Sequence, residues 1–84
     1  MKQKNEDIAM SAEERYRFVR SVMVRCGVKN IEISKLAGTS KQRVHDVMMS
    51  IAKGYRIRRI IAAECGVDVE YLWPDTPVEQ RRAA

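Results

Sequence analysis

Apolar residues recur three and four positions apart in four stretches of this chain, the period of helices with one buried face. Tyr16, Val19, Val22, Met23 and Cys26 form the first stretch. Ser11 precedes it with Glu14 three residues later, a capping-box pattern, and Gly27 follows it. Ile33, Leu36 and Ala37 form the second, with Asn30 as the expected N-cap and Gly38 as the stop. Val44, Val47 and Met48 form the third, after Ser40 as N-cap. Ile57, Ile60, Ile61, Ala63 and Cys65 form the fourth, closed by Gly66, over a helix expected at 56–65. A short fifth helix is expected across 67–74, with Asp68 as N-cap and Pro74 ending it. Leu72 and Trp73 are then core residues or part of a dimer contact.

Polar residues carry the candidate chemistry. Lys41, Gln42, Arg43, His45, Asp46 and Met49 fall largely off the Val44 face, so the third helix has an apolar inner side and a donor-rich outer side. A helix of that kind fits the major groove of DNA with its N-terminal residues at the base edges. Glutamine pairs bidentately with adenine, arginine or lysine with guanine, and aspartate accepts from cytosine. Lys53, Tyr55 and Arg56 cluster just beyond, where donors can bond to phosphate and fix the register. Arg56, Arg58 and Arg59 crowd the first turn of the fourth helix, an unfavourable place for cations unless an anion is near.

The stretch 30–49 resembles the helix-turn-helix of phage Cro- and repressor-like regulators. Ser34 stands where that family has a small residue four before the turn glycine, here Gly38. Val44 and Val47 match its aliphatic positions six and nine after the glycine, and Gly38-Thr39-Ser40 is similar to its Gly-Val-Ser turn. Two departures put hydroxyls near the core, Ser34 for alanine and Thr39 for valine, and buried hydroxyls need partners. Residues 58–74 look like the last two helices of that family, and Leu72-Trp73-Pro74 is similar to the ending of the Ner-like regulators of transposable phages. The resemblance covers roughly 16–74. It implies an all-α, compact five-helix, lambda-repressor-like domain, and a transcriptional regulator, most simply a repressor that occludes a promoter.

On this reading residues 1–10 are a flexible N-terminal arm, in which Lys2 and Lys4 are candidates for DNA contact. Residues 11–74 are the DNA-binding domain and 75–84 a polar, flexible tail. Lys41, Gln42, Arg43, His45 and Asp46 are expected to read bases. Ser40, Lys53, Tyr55, Arg56 and Arg59 are expected to hold phosphate. A homodimer on an inverted repeat follows from the family and from two-fold symmetry, with half-sites about 10 base pairs apart or a multiple of that.

Composition narrows the alternatives. A chain of 84 residues has room for one small domain with a modest core. A net charge of +5 and a pI near 9.6 suit a polyanion. Lys41, Arg43, Lys53, Arg56, Arg58 and Arg59 are concentrated around the third helix, while Glu64, Asp68, Glu70, Asp75 and Glu79 follow with no basic residue among them. Cys26 and Cys65 lack metal-ligand spacing and read as small buried hydrophobes, so no metal or cofactor is expected. No apolar run approaches the roughly 20 residues that span a bilayer, and the N-terminus is too polar for a signal peptide. The expectation is a cytoplasmic protein, bacterial or phage-encoded. An enzyme is disfavoured, because the single histidine, His45, has no nucleophile nearby by pattern and no glycine-rich phosphate loop is present. A helical module binding an acidic protein is the main alternative. RNA binding ranks lower because aromatic residues for stacking are sparse.

Overall fold

The Ser11 box closes as its spacing predicts. In a computed structural model that describes residues 10–82, the Glu14 N–H donates to Ser11 Oγ at 3.1 Å and the Ser11 N–H donates to the Glu14 carboxylate at 2.9 Å. The Ser11 N–H, and after it the hydroxyl, holds the Glu14 carboxyl below its ordinary pKa. Helix α1 (Ala12–Cys26) runs from this cap to Gly27. Then follow α2 (Asn30–Ala37), α3 (Lys41–Met48), α4 (Tyr55–Cys65), α5 (Val69–Leu72) and a 3-10 turn at Val78–Gln80. The described residues are all helix and connection, with no strand. None of these helices is long and apolar enough to cross a membrane. The N-terminal arm expected at 1–10, Lys2 and Lys4 included, lies outside the described residues apart from Met10.

One core joins all five helices. Val19, Val22 and Met23 of α1 meet Val44, Val47 and Met48 of α3, with Ile33 of α2 and Ile57 and Ile61 of α4 in the same cluster. Leu72 and the fully buried Trp73 close it from the α5 end. Trp73 is therefore core. The spacing argument holds for each of these positions because one stripe per helix suffices for a small bundle.

Several expectations are corrected. Lys29, not Asn30, is the N-cap of α2, and its N–H donates to the Glu32 carboxylate at 3.1 Å. Asp68 is the N-cap of α5 as expected, though without a side-chain cap bond, but α5 spans only Val69–Leu72 instead of 67–74. Leu36 is 53% exposed. It lines a surface groove with Ile60 and Ala63, because an eight-residue helix buries only the side centred on Ile33. Cys65 is buried but Cys26 is exposed. Ser34 is buried, and its hydroxyl finds the partner it needs, donating to the Ile31 carbonyl at 2.8 Å.

The largest difference is at 75–82, which packs against the domain instead of hanging free. Thr76 is buried and Arg58 Nη1 donates to its hydroxyl at 3.0 Å. Arg59 Nη1 donates to the Gln80 carbonyl at 2.9 Å and to its side-chain oxygen at 3.1 Å. Arg81 Nε donates to the Thr76 carbonyl at 2.8 Å. These residues form a strap over the first two turns of α4. Polar composition suggests a loose tail, but Thr76 and Gln80 are partners for arginines.

Candidate nucleic-acid interface

α3 is positioned by its two ends and its inner face. Ser40 caps it as expected, accepting from the Arg43 N–H at 3.1 Å. Val44, Val47 and Met48 are completely buried. With that face pinned, helical geometry turns Lys41, Gln42 and Arg43 outward, and all three are exposed. α3 stops at Met49, and Ser50 takes a left-handed backbone with φ 64°. The Asp46 carbonyl then accepts from Ile51 N–H at 2.9 Å and from Ala52 N–H at 3.2 Å, which ties down the following loop.

Two of the five expected base readers are placed differently from the other three. His45 is half-buried, its ring edge-on to Tyr16 of α1 with centroids 5.2 Å apart. Its apolar surface belongs to the α1–α3 contact, which the i, i+3 pattern alone did not reveal. Asp46 is also half-buried, and its carboxylate accepts from Gln42 Nε2 at 2.8 Å. That bond orients the Gln42 amide. The two residues stand four apart, the spacing at which side chains pair on one face of a helix.

The phosphate candidates divide in the same way. Lys53 is exposed in the loop after α3. Arg56, also exposed, reaches back to the Ala37 carbonyl at 2.9 Å, so the first turn of α4 sits beside the turn between α2 and α3. Ser40, Arg56 and the start of α3 thus share one region of the surface. Tyr55 is half-buried, with its ring facing the Arg58 guanidinium at 5.3 Å. Arg59 is half-buried, and its Nη1 donates to the Gln80 carbonyl and side-chain oxygen.

The crowd of arginines at the start of α4 therefore has a partly internal explanation. Arg58 is 1% exposed, lies between the rings of Tyr55 and Trp73, and meets the Asp75 carboxylate at 3.4 Å. Arg15 is half-buried and donates to the Leu72 carbonyl at 2.8 Å, covering the end of α5. The exposed cations left near α3 are Lys41, Arg43, Lys53 and Arg56. α4 itself begins at Gly54 without a side-chain cap or an acidic first turn, which leaves positive dipole at the same edge. Among the described residues no group of three or more His, Cys, Asp and Glu side chains is placed to hold a metal ion.

The fold and this face define a class only: an all-helical domain presenting a short, buried-backed helix with a basic outer side. No family model, curated protein or solved structure matches the chain.

Proposed function

We propose that this protein is a sequence-specific, double-stranded DNA-binding transcriptional regulator of the phage-repressor type, reading the major groove with α3. The observation that carries the proposal is the two-sidedness of α3. Its whole apolar side is buried, and its first turn offers Lys41, Gln42 and Arg43 to a partner. Resemblance of 30–49 to the helix-turn-helix of Cro- and repressor-like proteins supports the same reading. The lambda-repressor-like identity of the fold is part of the proposal.

Gln42 is the leading base reader. One hydrogen of its amide goes to Asp46, which leaves the second hydrogen and the carbonyl oxygen for the N7 and N6 edge of adenine. Arg43 or Lys41 suits guanine, and Asp46 acts chiefly through Gln42. Arg56 holds phosphate beside the start of α3, with Ser40 at its cap, and Lys53 holds phosphate from the loop that follows α3. The protein acts as a homodimer on an inverted repeat, as two-fold symmetry demands of a palindromic operator.

Gln42→Ala is expected to relax preference at one or two base positions, at a cost of about 1–3 kcal/mol on the preferred duplex. Competition binding against single-base variants measures this, and equal loss on every sequence would remove Gln42 from the reading set. Arg56→Ala is expected to weaken binding to all duplexes and to lower the slope of log K against log salt by roughly one unit. Arg59→Ala is expected to lower that slope by less than Arg56→Ala, because Arg59 is half-buried and its Nη1 is held by Gln80. A salt titration of the two variants side by side separates the roles.

A further inference from the structure

Cys26 and Cys65 are the last residues of α1 and α4. The fold brings these two helix ends together. Cys26 Sγ donates to the Cys65 backbone carbonyl at 3.4 Å, which places the two cysteines side by side. Their exposures differ: Cys26 is open to solvent and Cys65 lies beneath it, 9% exposed. Cys26 lines a surface groove of about 420 Å³ together with Val22, Arg25, Val67 and Tyr71, wide enough to admit a small oxidant.

We propose that Cys26 and Cys65 form an oxidisable dithiol site, in which a hydroperoxide oxidises Cys26 and Cys65 then closes an intramolecular disulfide. In the first step the Cys26 sulfur attacks one peroxide oxygen and the O–O bond breaks. Cys26 becomes a sulfenic acid, and with hydrogen peroxide the other oxygen leaves as water with the thiol proton. In the second step the Cys65 sulfur attacks the Cys26 sulfur. The S–O bond breaks, the S–S bond forms, and the hydroxyl leaves as water with the Cys65 proton. Two thiols and one hydrogen peroxide give one disulfide and two waters.

The order of events follows from the surroundings of each sulfur. Access selects Cys26 as the first target. Burial, and then the neighbouring Cys26, push the Cys65 thiol up to about 11, so little of it is thiolate at neutral pH. Closure of the ring therefore speeds up as pH rises from neutral towards that value, because the attacking species is the thiolate. The bond would enclose α2 and α3 and tie the ends of α1 and α4, while the Gln42 face lies elsewhere. The site is independent of the proposed DNA reading.

The test uses the full chain, treated with equimolar hydrogen peroxide, quenched in denaturant with an alkylating agent, and mapped by mass spectrometry. The expected product is a monomer that has lost two hydrogens, yielding a Cys26–Cys65 linked peptide. Its Tm should rise by roughly 10 °C over the reduced protein and fall back on adding reductant. Cys65→Ser should stop at the sulfenic acid, trapped by dimedone at Cys26, and Cys26→Ser should leave Cys65 reduced. Any of three results in the wild-type chain would overturn the proposal: both thiols still alkylated, Cys26 carried to sulfinic acid with Cys65 free, or a Cys26–Cys26 linked dimer as the main product.

Discussion

Arg58→Ala is expected to destabilise the domain by about 3–5 kcal/mol, a large share of what a chain of this size holds. Three losses combine. A fully buried side chain is removed, which opens a cavity between Tyr55 and Trp73. The cation that faces both rings disappears. The buried Thr76 hydroxyl loses the donor it accepts from at 3.0 Å, which leaves an unsatisfied polar group. The ion pair with Asp75 contributes little, because that carboxylate is 61% exposed. Arg58→Met separates these effects. It refills most of the volume and removes a buried charge, so it should cost only about 1–2 kcal/mol, mostly through Thr76. Urea unfolding of both variants measures the difference. Similar large losses in the two would mean that the charge matters more than the packing. Neither variant should change the salt dependence of DNA binding once folded, since Arg58 does not reach the surface.

Gly54→Ala is expected to cost about 3 kcal/mol and to damage α3 directly. Gly54 opens α4 with φ 47° and ψ 54°, a left-handed backbone that costs a residue with a Cβ about 1–2 kcal/mol. The added methyl would also overlap Val47 Cγ2. Val47 is fully buried in the last turn of α3, so overpacking there adds about 1–3 kcal/mol. The strain therefore falls on the helix proposed to read DNA, and affinity should drop along with stability. A double-mutant cycle with Val47→Ala tests the mechanism. Removing the methyl that is struck should make Gly54→Ala cheaper by at least about 1 kcal/mol in that background. Additive losses would place the strain in the backbone alone.

Much of the helical framework was legible because it rests on local rules. The capping box at Ser11, the cap at Ser40 and the stripe Val44-Val47-Met48 each depend on residues within four positions of one another. The boundaries of α1 and the start of α3 agree with these signals, and α4 begins one residue earlier than expected. What was not legible depends on residues brought together from far along the chain. Arg58 meets Thr76, Arg59 meets Gln80 and Arg15 meets the Leu72 carbonyl, and no periodicity announces such pairs. Charged side chains are rarely buried, so the natural reading of a polar C-terminal segment was a free tail. The candidate site shows the same division. The outward placement of Lys41, Gln42 and Arg43 follows from the buried stripe, whereas the packing of His45 on Tyr16 required the position of α1. The contact between Cys26 and Cys65 is the same kind of long-range fact.

The central claim is that α3 reads base sequence in duplex DNA. Selection from a random duplex pool at moderate salt, followed by sequencing of what the purified protein retains, tests it most directly. The account predicts an enriched inverted repeat with half-sites about 10 base pairs apart or a multiple of that, and loss of preference at defined positions when Gln42→Ala is selected in parallel. An enriched single half-site would keep the reading role and contradict the dimer. A retained pool with no enriched motif would contradict the claim itself, leaving charge attraction alone to explain any binding.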